Sequence, residues 1–140
     1  MSQDFYLGNP NLKKVGTEIQ FTKHQIQEYL KCKEDPVYFA MNYIKIISLD
    51  EGIVPFKMWD FQQELIESFH EHRFNIAKLP RQTGKSTTCV SYLLHYILFN
   101  DNVNVGILAN KLSTARDLLS RLQLAYEQLP LWIQQGIVVY

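Results

Sequence analysis

The chain has 140 residues, 46% hydrophobic and 13% aromatic, enough to bury one core without help from disulfides or metals. Fourteen basic and fourteen acidic residues cancel, which excludes a strongly basic nucleic-acid-binding domain and leaves any DNA contact to a local patch. No apolar run approaches the roughly 18 residues of a membrane span, and the polar start with Asp4 carries no export signal, so the expected setting is the cytoplasm with no membrane partner.

Residues 1–20 are rich in Asn, Gly, Lys and Gln without apolar periodicity and read as an N-terminal arm. Thr22 and Gln25 have capping-box spacing, and Ile26, Tyr29 and Leu30 follow on one helical face. A second helix opens after Asp35 with Pro36 in its first turn; Val37, Ala40, Met41 and Ile44 form its stripe, and Asp50, Glu51 and Gly52 close it. Together residues 21–58 make a small helical cap. A third helix starts at Asp60, where Asp60 and Gln63 again have capping-box spacing and Phe61, Leu65, Ile66 and Phe69 supply the inner face.

From residue 74 the periodicity changes. Phe74 to Leu79 is a short apolar run that breaks at Pro80, as expected of a strand delivering the chain to a loop. A helix with Cys89, Val90, Leu93, Leu94, Ile97 and Leu98 on one side follows, then a second run, Val103 to Ala109. Another helix carries Ala115, Leu118, Leu119, Leu122 and Leu129 up to Pro130, and Gly136 to Tyr140 suits a third strand. Strand, helix, strand, helix, strand is the order of an α/β fold: a parallel sheet with right-handed crossovers over residues 59–140.

The segment that carries chemistry is Pro80-Arg81-Gln82-Thr83-Gly84-Lys85-Ser86-Thr87, between an expected strand and an amphipathic helix. A nucleoside triphosphate needs backbone amides converging on a concavity, a helix N-terminus behind them, a Lys for the β/γ-phosphates and a hydroxyl for Mg²⁺. Gly84, Lys85 and Ser86 supply these at P-loop spacing, although Leu79 stands where the full pattern has its first Gly. Arg81 inside such a loop is placed to stabilise γ-phosphate charge in cis. Cys32 and Cys89 have no CxxC context and read as reduced, half-buried thiols; His24, His70, His72 and His95 show no metal-ligand spacing and read as surface or helix-face residues.

Arg-Gln-x-Gly-Lys-Ser with the first Gly absent resembles the deviant Walker A of terminase large subunits, the DNA-packaging motors of tailed, myovirus-type bacteriophages. Further segments are similar to that family: Cys32–Ala40 (CKEDPVYFA), Trp59–Gln62 (WDFQ), Val105–Lys111 (VGILANK), and Leu129-Pro130 followed by Gly136-Ile137-Val138. The likeness spans about residues 5–140. It implies an incomplete ASCE-type P-loop ATPase core behind a helical cap. Phe61 and Gln62 match the family's adenine-recognising pair. Arg81, Gln82, Thr83, Gly84, Lys85, Ser86 and Thr87 match the phosphate loop, with Arg81 and Lys85 catalytic and Ser86 on Mg²⁺. Asn110 and Lys111 match a motif coupling ATP state to DNA movement.

The resemblance thus implies ATP and Mg²⁺ as cofactors and, through the assembled motor, double-stranded DNA, the portal protein and the small terminase subunit as partners, in the host cytoplasm. It also brings out a departure. The family's Walker B acid and its neighbouring Glu, and the nuclease domain, are not in this sequence; Ile46 to Glu51 (IISLDE) has the look of a Walker B run but precedes the loop and reads as structural. The expectation is therefore a portion that binds and hydrolyses ATP poorly alone and completes its site with the rest of the large subunit, in cis or as a second chain. The alternatives are a superfamily 2 helicase-like ATPase fragment and a non-catalytic interaction or regulatory protein of the motor.

Overall fold

A computed structural model describes residues 5–134. Helix α1 (Lys23–Glu34) starts as expected: Thr22 Oγ1 accepts from the Gln25 amide at 3.2 Å and Gln25 Oε1 accepts from the Thr22 amide at 3.0 Å. Each bond satisfies a donor that the first turn leaves without a helical partner. Asp35 then caps α2 (Pro36–Tyr43), its Oδ1 accepting from the Val37 and Tyr38 amides, both at 3.0 Å. Glu28 of α1 accepts from the hydroxyls of Tyr38 and Tyr43 at 2.8 and 2.7 Å, fastening the two helices. The Tyr43 and Tyr38 hydrogen bonds hold its carboxyl below the usual range.

Helix α2 ends earlier than its apolar stripe suggests. After Ile44 the chain forms β1 (Lys45–Ser48), turns, and returns as β2 (Gly52–Pro55), with Ile46 opposite Val54 and Ile47 opposite Ile53 in an antiparallel ladder. Three isoleucines at 44, 46 and 47 disfavour helix and suit a pleated ribbon, because two heavy atoms on Cβ stiffen χ1. Gly52, at φ 76°, takes the left-handed position that ends the turn.

Helix α3 (Asp60–Glu71) begins where expected but is capped differently: Gln62, not Gln63, reaches back, its Oε1 accepting from the Trp59 amide at 2.9 Å. An indole has no acceptor, so the reciprocal half of a capping box cannot form. The inner face of α3 is Gln62 and Ile66, with Phe61 turned outward. Two longer helices complete the architecture, α4 (Lys85–Phe99) and α5 (Leu112–Glu127).

The expected α/β parallel sheet is not what the chain forms. Among the described residues there are five α-helices and a single two-stranded antiparallel sheet. Residues 74–79 and 103–109 join no ladder; Ile76 is 100% exposed and Leu108 97%. A strand gains stability from a hydrogen-bonded neighbour and from burial of alternate side chains; neither segment has the neighbour, residues 74–78 are exposed throughout, and Val103, Val105 and Ile107 are only half-buried. The helical faces that would have covered a sheet are spent on one another: α4 packs against α2, α3 and α5. The third expected strand, Gly136–Tyr140, lies outside the described residues. No helix among the described residues is long and apolar enough to cross a membrane.

One core results, and it draws on cap and later helices alike: Cys32, Phe39, Ile44, Phe56, Ile66, Leu94, Leu98, Phe99, Leu129 and Ile133 are buried together. The arm is tied down too. Gln134, itself buried, accepts from the Lys13 amide at 3.0 Å and donates from Nε2 to the Asn11 carbonyl at 2.7 Å. His95, expected on a surface or helix face, is 2% exposed. Its Nε2 donates to the Cys32 carbonyl at 2.8 Å, and its ring packs on Phe39 and Phe99 at 5.5 and 4.8 Å between centroids.

Burial lowers the His95 pKa from the ordinary 6.5, against the carbonyl of Cys32, which favours the proton. His70 of α3 opposes the charge and Asp35 favours it. The unfolded chain therefore binds a proton that the folded chain resists, so stability is fully present above pH 6.5 and is lost as pH falls through the lowered folded value. Urea unfolding at about pH 7.5 and about pH 5.5 should show a loss with a slope of up to about 1.4 kcal/mol per pH unit. The loss should be flatter in His95→Gln, which keeps a donor but no titration in this window. Equal losses in the two proteins would remove His95 as the cause.

Candidate functional site

The segment singled out by the sequence forms a tight loop running into α4. Gln82 and Gly84 both have positive φ, 61° and 74°, and Thr83 between them does not. Alternation of this kind turns successive amides to one side and makes a concavity for an anion. Thr83 Oγ1 donates to the Pro80 carbonyl at 2.9 Å and closes the turn; Lys85 Nζ donates to the Leu79 carbonyl at 3.3 Å. Gly84 is the N-cap of α4 and offers no side chain to it. The first-turn amides of Lys85, Ser86 and Thr87 thus have no carbonyl within the helix and no capping oxygen, and the positive end of the helix dipole lies behind them.

Below the first turn, two hydroxyls bond back to carbonyls of their own helix. Thr88 Oγ1 donates to the Gly84 carbonyl and Ser91 Oγ to the Thr87 carbonyl, both at 2.8 Å. Burying Thr88 and Ser91 therefore leaves no hydroxyl unpaired. Ser86 Oγ has no hydrogen-bond partner among the described residues.

Helix α3 brings its start to this loop. Gln62 Nε2 donates to the Thr83 carbonyl at 3.3 Å, across 21 residues of sequence. Phe61, Gln62, Gln82, Thr83, Gly84 and Thr87, all expected site residues, line one hollow of about 420 Å³ together with Ile46, Phe56, Lys57 and Trp59. Lys85 and Ser86 sit on the adjoining helix turn, and Arg81 is exposed, with no carboxylate at ion-pair distance among the described residues. Asn110 and Lys111, at the start of α5, are not part of the lining.

Lys57 and Trp59 escaped the sequence reading as site residues. Their signal was weak: both flank the Phe61-Gln62 pair, and only the hairpin, itself unexpected, aims them at the loop. Trp59 is 71% exposed, a large aromatic surface at the rim. A larger hollow, about 480 Å³, opens between β1, α4 and α5; of the expected residues only Thr87 reaches it, and its lining mixes aliphatic residues with Lys45, Ser91, Ser120 and the Arg121–Asp117 ion pair of 3.0 Å. The expected site residues therefore gather at the smaller one.

The cysteines do not contribute. Both are free, and burial pushes the Cys32 thiol up to about 12 and raises Cys89 as well, which keeps them protonated and unreactive at neutral pH. The chain matches no model of a known protein family.

Gly84 is where the loop tolerates least. A Cβ there would stand 2.5 Å from Gln62 Nε2, at φ 74°. Gly52 has a similar φ of 76° but nothing within 4 Å. Gly52→Ala should therefore cost about 1 kcal/mol from backbone strain alone, and Gly84→Ala about 2 to 3 kcal/mol. Urea denaturation of the pair measures the difference; equal costs would mean the contact with Gln62 carries no weight.

Proposed function

We propose that this chain binds ATP in the hollow between the start of α3 and the Gln82–Thr87 loop, and that it is the ATP-binding portion of a viral DNA-packaging motor of the terminase type. The observation that carries the reading is convergence: two segments about twenty residues apart, one aromatic and one rich in free amides, line the same hollow. An anion of high charge suits the amides of Lys85, Ser86 and Thr87, and Gly84, lacking Cβ, leaves the room that the Gln62 amide fills beside the loop. Lys85 would exchange its carbonyl partner for phosphate oxygens, and Arg81, with no carboxylate at ion-pair distance among the described residues, adds a cation to Lys85 and the Lys57 of the lining.

Mg²⁺, bound with the nucleotide, screens the charge of the β- and γ-phosphates; the unpaired Ser86 hydroxyl is the group of this chain that would hold it. Phe61 and Trp59 offer faces to the base. The lining carries no carboxylate among the described residues, so these residues account for binding and not for activation of water. The motor assignment rests on the sequence likeness in Cys32–Ala40, Trp59–Gln62, Arg81–Ser86 and Val105–Lys111. In it, the remainder of the large subunit supplies the acidic residues, and the portal protein, small subunit and double-stranded DNA meet the assembled machine.

Calorimetric titration with ATP, or a slowly hydrolysed analogue, in Mg²⁺ tests the reading. Lys85→Ala, checked for folding by circular dichroism, should weaken binding by about 10- to 100-fold, the worth of a charge-assisted hydrogen bond. Absence of saturable binding to the unmutated chain at millimolar nucleotide would sink the proposal.

A further inference from the structure

A glutamine amide offers two N–H donors and an oxygen with two lone pairs, and in Gln62 one N–H and one lone pair are engaged from within the protein. Its Oε1 accepts from the Trp59 amide at 2.9 Å and its Nε2 donates to the Thr83 carbonyl at 3.3 Å. The residue is 3% exposed. Its Nε2 also occupies the space beside Gly84 that any Cβ at that position would need, 2.5 Å away. At this exposure the remaining N–H and lone pair are closed to a base, and turning the amide outward to read one would break both bonds and leave the Trp59 amide and Thr83 carbonyl unpaired. Trp59 and Phe61 face no such conflict, since both line the hollow and are exposed.

The geometry points to Gln62 as a positioning residue that clamps the start of α3 to the Thr83–Gly84 turn and so keeps the α4 amides presented to phosphate, while the base is held by stacking alone. The ligand class that follows is nucleoside triphosphates without discrimination between adenine and guanine, because every base has a π-face. This inference rests on the nucleotide-binding reading above for its ligand, but its structural half, the clamp, stands apart from it.

The test uses the whole chain and Gln62→Met, which keeps the bulk and removes both hydrogen bonds. Titrations with ATP, GTP and inorganic tripolyphosphate in Mg²⁺ are paired with amide hydrogen exchange of the ligand-free protein. The unmutated chain should bind ATP and GTP within about threefold of each other, and Gln62→Met should weaken all three ligands by a similar factor, about tenfold. Exchange at residues 83–88 should quicken. Trp59→Ala, which keeps the backbone amide, should weaken ATP and GTP and spare tripolyphosphate. Loss of ATP alone in Gln62→Met, with tripolyphosphate binding and loop exchange unchanged, would overturn the inference, as would a strong preference of the unmutated chain for ATP over GTP. Failure of that chain to bind any of the three ligands would remove the nucleotide reading, and the exchange result would still decide the clamp. If Gln62→Met does not fold, Gln62→Glu keeps the acceptor for Trp59 and lacks the donor for Thr83, and the same quickened exchange is expected of it.

Discussion

The hydrogen bond from His95 to the Cys32 carbonyl, 2.8 Å long and buried among Phe39, Phe99 and Tyr92, sets where α4 lies. It joins the middle of α4 to the end of α1 across 63 residues of sequence. A carbonyl near a helix C-terminus has no partner within its own helix, and the imidazole supplies one from inside the core. The candidate site hangs on α4, since its first turn is the amide cluster and its inner face receives α2, α3 and α5. The interaction also explains why a helix with Thr88, Ser91 and His95 on its buried side can be central: each polar group has found a backbone acceptor.

Local chemistry was legible in the sequence wherever a few neighbouring residues decide the outcome. Thr22 with Gln25 and Asp35 with Pro36 fix helix starts through bonds that span three residues, so spacing suffices. The loop at Gln82–Thr87 was equally plain, because Gly-Lys-Ser before an amphipathic helix is a local pattern. Its internal geometry was not: a left-handed Gln82 has no sequence signal, as it would with Gly or Asn. The hairpin at Lys45–Pro55 was hidden because Val37, Ala40, Met41 and Ile44 at helical spacing led the eye through Ile47.

The expected parallel sheet does not form among the described residues because its strands lack partners. Short apolar runs such as Phe74–Leu79 specify an extended backbone but not a neighbour, and pairing is a property of two segments. The same limit hid the burial of Gln62 and His95, whose partners Thr83 and Cys32 lie 21 and 63 residues away. What could be read was the identity of groups, and what could not was which distant carbonyl each would meet.

Gln134 holds the backbone of Asn11 and Lys13 at sequence separations of 123 and 121, and Asn9 donates to Glu127 at 2.6 Å across 118. The described path is thus nearly a closed ring, its two extremities laced through one side-chain amide. Closing so long a loop costs entropy that only contacts already formed can offset. The lacing is therefore far less costly to make once the helices have gathered around α4 and brought its ends together.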